Sequence, residues 1–302
     1  MKIVFMGTPD FASVALEKLY SEGFEIAAVF TQPDRPKNRG MKLSMSPVKE
    51  LALQHGTPVY QPENMKDGTA FKILEDIQPE LIIAVAYGNL LPEQILNLPK
   101  YGCINIHGSI LPKYRGSAPI QWTVLNGDET AGVTSMFLNK GMDTGDIIFT
   151  RETPVGNDET SGQLFDRLAV LGGELLCNTV RAIENGTAPR TPQNEALASY
   201  APPLTKEQSV IDFSDSCKNI LNKIRGLNPW PVAKAEIGGT QFKVFAAFGK
   251  IGSFGLPGTI VSSGKDGIEV ACGDGSVTIT QLQAPGGRRM AAGDYLRGHP
   301  IC

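Results

Sequence analysis

Two polar residues near the middle of the chain are of types that bind and polarise a carbonyl group. Asn105 and His107 are two residues apart in an apolar segment, so in a β-strand both side chains lie on one face. An amide beside an imidazole can stabilise a developing oxyanion and move a proton. Asp143, in a polar turn, offers a carboxylate that would orient the imidazole. Together the three residues suit chemistry on a bound carbonyl compound.

Each of these residues also has a structural interpretation, which the sequence leaves open. An Asn-x-His pair at a strand end is typical of structural hydrogen bonding, and the Asp-Thr-Gly at Asp143 is typical of a turn. A covalent acyl-enzyme is not expected, because neither Ser109 nor Cys103 has an evident second histidine; the others are His55 and His299. The histidines also lack metal-ligand spacing. Direct attack by the substrate's own nucleophile is therefore the simplest catalytic interpretation.

The elements that must position these residues are predicted to form an α/β domain. The chain opens with a strand, a tight turn, a helix and a second strand, an order typical of a doubly wound, mostly parallel sheet. Such sheets place their ligand crevice at the carboxyl ends of the strands, where Asn105 and His107 are predicted. No GxGxxG or GxxxxGK[ST] motif occurs, so neither a dinucleotide fingerprint nor a P-loop is expected.

Hydrophobic periodicity gives the bounds of these elements. The predicted strands cover residues 2–6, 25–30, 58–60, 81–86 and 102–106. Two further predicted strands, at 130–138 and 147–152, extend the sheet in antiparallel orientation. One predicted helix follows a tight turn at residues 7–10 and runs to about residue 20, and the others cover residues 69–77, 117–125 and 160–184.

A Pro-rich polar stretch separates two predicted domains. We expect a catalytic domain at 1–188, a linker at 189–207 and a second domain at 208–302. After a predicted helix at 214–225, five short segments between glycine turns favour a small β-barrel of the oligonucleotide-binding (OB) type. From residue 208 onward ten Lys and Arg accompany seven Asp and Glu, giving +3, while the remainder has 18 against 24, giving −6. This asymmetry suits a polyanionic partner, and equally a solvated charged surface.

The composition is that of a globular protein. Hydrophobic residues make up 41% of the chain and charged residues 20%, and no apolar run approaches the roughly 20 residues of a membrane helix. The short apolar start is too brief for a signal peptide, so we expect a cytoplasmic protein. The sequence shows no obvious exposed apolar seam, so we also expect a monomer. Five scattered cysteines without a CxxC pair argue against a disulfide framework or a zinc site and favour buried thiols.

One long segment between predicted elements is rich in Pro, Gly and basic residues. It covers residues 31–49 and includes Arg35, Arg39, Lys42 and Lys49. A long loop in a compact domain is typically functional or flexible, and a basic one suits phosphate contacts.

Ordered motifs along nearly the whole chain resemble those of the 10-formyltetrahydrofolate-dependent formyltransferases. They are MGTPDFA, TQPDRP, SPVK, AYGNLLP, INIHGSILPKYRGSAPIQ, GMDTGDI, NPWPVA and RRMAAGDYLRG. The family more often has leucine at Ile110, and Ala-Gly where this chain has Lys-Asn at positions 37–38. The resemblance implies that the chain transfers a formyl group from 10-formyltetrahydrofolate, its co-substrate, to an amine without a metal.

The resemblance also implies roles for individual residues. Asn105 and protonated His107 would stabilise the oxyanion, while Asp143 would hold the imidazole and assist proton transfer. The residues implied to contact the folate are Ser109, Ile110, Leu111, Pro112, Tyr87 and Gly88. The implied acceptor is an initiator tRNA charged with methionine, and the residues implied to contact it are Arg35, Arg39 and Lys42.

Other readings share the same central motif. The acceptor amine could belong to a glycinamide nucleotide or an amino sugar nucleotide, or the enzyme could hydrolyse formyl-folate. A noncatalytic folate- or tRNA-binding protein, with a structural Asn105 and His107, is the alternative from another class. The long basic loop and NPWPVA favour tRNA.

Overall fold

The computed structural model of the protein describes residues 1–37 and 42–301, and the chain forms two compact units. The first comprises Met1–Gly116, Gly132–Thr153 and Phe165–Tyr200; the second comprises Ser117–Ala131, Pro154–Leu164 and Ala201–Cys302.

The regular elements follow in chain order. The strands are β1 (Ile3–Gly7), β2 (Ile26–Phe30), β3 (Arg35–Lys37), β4 (Lys42–Ser44), β5 (Val59–Tyr60), β6 (Leu81–Val85), β7 (Cys103–His107), β8 (Arg115–Gly116), β9 (Thr130–Phe137), β10 (Ile147–Pro154), β11 (Tyr200–Ala201), β12 (Ala233–Ile237), β13 (Thr240–Ile251), β14 (Ile260–Gly264), β15 (Gly267–Cys272), β16 (Gly275–Gln283) and β17 (Met290–Ala291). The helices are α1 (Asp10–Ser21), α2 (Pro47–Gln54), α3 (Thr69–Ile77), α4 (Glu93–Leu96), α5 (Pro119–Leu125), α6 (Ser161–Glu184), α7 (Cys217–Gly226) and α8 (Ala292–Gly298).

A seven-stranded sheet forms the centre of the first unit, in the order β10-β9-β7-β6-β1-β2-β5. Strand β1 pairs in parallel with β2 and β6, and β6 pairs in parallel with β7, so these four strands end at one edge of the sheet. Strand β9 runs antiparallel to β7 and places Thr134 opposite His107. The predicted α/β architecture with an antiparallel extension is confirmed.

Sequence pattern explains why these elements form. Strands β1 and β6 are apolar and buried throughout, as expected for strands covered on both faces. Helix α1 buries Phe11, Ala15 and Leu19, which are four residues apart and so lie on one face. Helix α3 has the predicted bounds.

The segment predicted as a loop at 31–49 is partly regular structure. Strands β3 and β4 pair antiparallel, and α2 begins at Pro47. The Ser46 hydroxyl caps α2 by accepting a hydrogen bond from the Lys49 N–H (3.1 Å), and a proline in the first turn has no N–H to leave unpaired. The loop prediction is therefore wrong for the hairpin strands and for the start of α2.

A six-stranded antiparallel sheet forms the second unit, in the order β12-β13-β16-β15-β14 with β17 beside β16. Its core includes Phe242, Ile279 and Ile220 of α7. The predicted C-terminal β domain is confirmed, whereas β17 and α8 were not predicted.

The two units are discontinuous in sequence, unlike the predicted domains. Residues 117–131 and 154–164 belong to the second unit, and the first unit extends to Tyr200, beyond the predicted end at residue 188. The predicted domain limits, 1–188 and 208–302 with a linker between them, divide the chain along its sequence, whereas the two units group residues that pack together in space. The predicted limits therefore stay predictions.

Among the helices of the described residues, none combines the length and the apolar character that a bilayer-crossing helix needs.

Candidate active site

Strand β7 ends at His107, and this end carries the predicted polar pair. Asn105 and His107 alternate with Ile104 and Ile106, which are buried in the apolar core. Only 6% of His107 is exposed. Since β1, β2 and β6 end at the same edge, the pair lies where a parallel sheet forms its ligand crevice.

The His107 ring is fixed by a backbone carbonyl. Its Nε2 lies 2.8 Å from the carbonyl oxygen of Tyr114, a residue held in the left-handed region at φ 60°. A carbonyl oxygen only accepts hydrogen bonds, so Nε2 must carry the hydrogen in the neutral ring. The other nitrogen, Nδ1, is therefore the acceptor atom of the neutral ring.

Asp143 faces that second nitrogen. Its Oδ2 lies 3.7 Å from Nδ1 of His107 and accepts a hydrogen bond from the Gly116 N–H (2.8 Å). The carboxylate is 14% exposed, and its residue has φ 55°, an unusual conformation for a residue with a side chain. The structure thus brings the predicted carboxylate to the predicted imidazole, and the backbone at Gly116 holds it there.

Asn105 contributes an acceptor atom that the described residues leave without a hydrogen bond. Its Oδ1 is buried, and no partner for it exists in that part of the chain. A buried polar atom without a partner typically costs about 1–3 kcal/mol and calls for an explanation. At the edge of a sheet, beside a His–Asp pair, a ligand that donates a hydrogen bond is such an explanation.

The predicted folate segment, residues 109–112, forms a tight turn after β7. The Ser109 hydroxyl donates to the carbonyl oxygen of Lys113 (2.6 Å), and the Leu111 N–H donates to Oγ1 of Thr134 on β9 (3.1 Å). Ser109 and Leu111 are buried, whereas Ile110 and Pro112 are half-buried. The partly open side chains of this segment are thus those of Ile110 and Pro112.

Tyr87 and Gly88, the other predicted folate residues, follow the end of β6. The Tyr87 carbonyl accepts hydrogen bonds from Thr8 Oγ1 and from Gln32 Nε2, both at 3.2 Å. These bonds tie together the ends of β1, β2 and β6. The Tyr87 side chain is buried, which raises the pKa of its hydroxyl to about 12, and Gly88 is exposed at φ 87°. Tyr87 and Gly88 therefore lie at the same sheet edge as His107.

Neither candidate nucleophile, Cys103 or Ser109, is activated. Burial raises the pKa of the Cys103 thiol to about 12, so this thiol stays protonated near neutral pH, and Cys103 is at the opposite end of β7 from His107. The Ser109 hydroxyl hydrogen is occupied by the Lys113 carbonyl. The described residues also contain no cluster of three or more His, Cys, Asp or Glu side chains that could hold a metal ion.

Two of the three predicted tRNA-contacting residues belong to the β3–β4 hairpin. Arg35 is exposed on β3, Lys42 begins β4, and Arg39 lies outside the described residues. Lys49, the last basic residue of this segment, has an internal role instead. Its Nζ contacts Asp34 (2.6 Å) and Gln61 (2.7 Å) at the base of the hairpin.

Sequence reasoning missed two polar residues of the site. Arg115 is 1% exposed, and Gln193 donates hydrogen bonds to the backbone of the Asp143 turn. In the sequence, Arg115 stands out only as part of the motif INIHGSILPKYRGSAPIQ, and Gln193 lies in the predicted linker. Hydrophobic periodicity contains no signal for contacts between residues about eighty positions apart.

Sequence profiles of known families match both parts of the chain. The profile described as Formyl transferase matches residues 1–180, and that described as Formyl transferase, C-terminal domain, matches residues 203–300.

Curated relatives match from end to end. A methionyl-tRNA formyltransferase of Acetivibrio thermocellus is 45% identical over 100% of this chain and 97% of its own length. The enzyme of the same name from Clostridioides difficile is 46% identical over 100% of this chain and 98% of its own length.

Solved structures share the fold at lower identity. An N-formyltransferase from Helicobacter canadensis, in complex with folinic acid and dTDP-3-aminofucose, matches with a TM-score of 0.69 and 20% identity, over 92% of this chain and 99% of its own. HypX from Aquifex aeolicus, in complex with tetrahydrofolic acid, matches with a TM-score of 0.64 and 20% identity, over 98% of this chain and 47% of its own.

Proposed function

This chain belongs to the formyltransferase family, and we propose that it transfers the formyl group of 10-formyltetrahydrofolate to the α-amine of an initiator tRNA charged with methionine. The observation that carries the acceptor is the 45% identity with methionyl-tRNA formyltransferases over the full chain, including the C-terminal unit. The product would serve translation initiation.

The site residues fit a formyl donor. Asn105 offers an amide NH₂ that can donate to a formyl oxygen, and its buried Oδ1 is an acceptor suited to an amine N–H. When bound, the co-substrate supplies an electrophilic formyl carbon, and the tRNA supplies the attacking amine. A new C–N bond forms to the amine and the bond between the formyl carbon and N10 breaks. The amine loses one proton and N10 gains one, so tetrahydrofolate is the leaving group.

Asn105 and His107 stabilise the negative charge that develops on the formyl oxygen. The Asn105 amide donates from the end of β7. His107 has its Nε2 hydrogen occupied by the Tyr114 carbonyl, so a protonated ring has Nδ1–H left to donate, to the formyl oxygen or to Asp143. Donors fixed before the substrates arrive need no reorganisation as charge develops, which is why such groups lower barriers.

Asp143 holds the orientation of the imidazole. Its carboxylate, 3.7 Å from Nδ1, faces the ring and assists removal of a proton from the attacking amine. The Gly116 N–H hydrogen bond prevents the carboxylate from turning away.

Two regions of positive charge support binding of the polyanionic tRNA. The β3–β4 hairpin presents Arg35, and the sequence continues with Arg39 and Lys42. The residues from 208 onward carry the net charge of +3 described above. We propose that the hairpin contacts the acceptor end of the tRNA and that the C-terminal unit contacts its backbone. We further propose a monomer that acts in the cytoplasm, where charged initiator tRNA is used.

Acceptor competition tests this proposal. Formyl transfer from 10-formyltetrahydrofolate would be measured with methionyl initiator tRNA, uncharged initiator tRNA, a glycinamide nucleotide and an amino sugar nucleotide, beside a His107→Asn variant. Transfer to methionyl-tRNA alone, lost in the variant, is the expected result. Transfer to a different acceptor would overturn the tRNA assignment. No transfer at all, with folate still bound, would favour a binding protein.

A further inference from the structure

A buried arginine lies beside the turn at residues 139–145, which contains Asp143 and is named the catalytic turn. Arg115 is 1% exposed, and its guanidinium donates to Oε1 of Gln193 from Nε (3.1 Å) and Nη2 (2.8 Å). It also forms a two-point ion pair with Glu195, with both contacts at 2.8 Å. A planar guanidinium fixed at two partners holds both of them in a defined geometry.

Arg115 thereby sets the orientation of the Gln193 amide. Since Oε1 accepts from the guanidinium, Nε2 must point the other way. There it donates to two carbonyl oxygens, those of Asp143 and Gly145, both at 2.8 Å. Both hydrogens of the amide are therefore used on one short turn of backbone.

This turn requires external support. Asp143 has φ 55°, a conformation that typically costs about 1–3 kcal/mol for a residue with a side chain and persists only where its surroundings impose it. Within the turn, Asn139 Oδ1 accepts from the Gly141 N–H (2.9 Å) and Thr144 Oγ1 (2.8 Å). Gln193 supplies two further bonds from outside the turn.

We propose that Gln193, oriented by Arg115, is a positioning residue that holds Asp143 so that its carboxylate faces His107. This inference rests on the proposed function, because it assigns a role within that same reaction. Gln193 acts through the backbone of Asp143 and contacts neither substrate in the proposed scheme. Its loss is therefore expected to lower kcat and to leave both KM values nearly unchanged.

Gln193→Ala and Gln193→Glu test the proposal in two ways. The alanine variant removes both hydrogen bonds to the turn. The glutamate variant keeps the side-chain volume and the contact with Arg115, but places an oxygen against the two carbonyl oxygens. Both should lower kcat about tenfold to a hundredfold, as expected for a displaced catalytic group, with KM for folate and tRNA within about twofold of wild type. Gln283→Ala is the matched control, because Gln283 also donates from Nε2 to a backbone carbonyl, that of Gly287 (2.8 Å), far along the chain.

A double-mutant cycle separates positioning from general stabilisation. In an Asp143→Asn background, Gln193→Ala should reduce kcat by much less than it does in the wild type, because the group being positioned has already been altered. Equal reductions in both backgrounds, or wild-type kcat in Gln193→Glu, would overturn the inference. If the wild-type protein transferred no formyl group to any acceptor, the proposed function itself would fail. That result is distinguishable from the two outcomes above, in which the wild-type protein is active.

Discussion

The catalytic turn and the β3–β4 hairpin are two polar regions of the first unit that are built in opposite ways. Around Asp143, hydrogen bonds to backbone groups fix the carboxylate, the His107 ring and the loop between them. In the hairpin, Arg35 is exposed, and the contacts of Lys49 with Asp34 and Gln61 lie at its base. Under the proposed function, the chemistry depends on enforced geometry, whereas tRNA binding depends on the number of accessible charges.

Replacing Asn105, the proposed oxyanion donor, should give the largest effect. Asn105→Ala is expected to reduce kcat on the order of 10²–10³, because it removes a fixed donor from the site of developing charge. Steady-state kinetics with methionyl-tRNA would measure it, and folate affinity should change little. A reduction in kcat of less than about threefold would show that the Asn105 amide contributes less to the rate than proposed.

A methyl group in the catalytic turn should be the next most damaging change. A Cβ at Gly145 would overlap the carbonyl oxygen of Phe137, so Gly145→Ala must displace backbone. We expect a loss of about 1–3 kcal/mol in the free energy of unfolding, and a fall in kcat.

Thermal unfolding of Gly145→Ala beside Gly264→Ala would measure this loss. Gly264 has open space where a Cβ would be placed, so its variant should stay within about 0.5 kcal/mol of wild type. Similar melting temperatures for the two variants would contradict the view that the turn has one permitted geometry.

Removing one hairpin charge should have a moderate effect on binding alone. Arg35→Ala is expected to weaken tRNA binding severalfold and to reduce the slope of log K against log salt concentration by about one, with folate binding and kcat unchanged. Arg39→Ala should behave in the same way. Binding titrations at several salt concentrations would measure this, and an equal loss of folate affinity would show that the hairpin is misplaced in the proposal.

The base of the hairpin should contribute a small, pH-dependent term. Hydrogen bonds from Lys49 and Gln61 lower the pKa of Asp34 below its ordinary value of 3.8. A lowered carboxyl pKa stabilises the fold above the unfolded value, and this stabilisation disappears as the pH falls through the folded value.

Asp34→Asn tests this term. The variant should be less stable than wild type by under about 1 kcal/mol near neutral pH, and the difference should shrink below pH 3.8. Urea unfolding across this range would measure it. A difference that is independent of pH would show that the carboxylate charge plays no part.

Local patterns predicted elements better than they predicted contacts. Helix α3 matches its predicted bounds because an amphipathic face identifies it, and the Asn105–His107 pair follows from strand alternation. The start of α2 was missed although its signal was present, since Ser46 followed by Pro47 is a typical helix start. The roles of Arg115 and Gln193 depend on a contact across 78 residues, which no local pattern contains.

The contact between Gln193 and the Asp143 turn also sets an order of events during synthesis of the chain. The two residues are fifty positions apart, and α6 lies between them, so a nascent chain that has already exposed Asn105, His107 and Asp143 still lacks one side of the turn's support. A fragment that ended at residue 188 would contain Asn105, His107 and Asp143 without this support. We therefore expect the proposed site to reach its final geometry after the segment beyond α6 has left the ribosome.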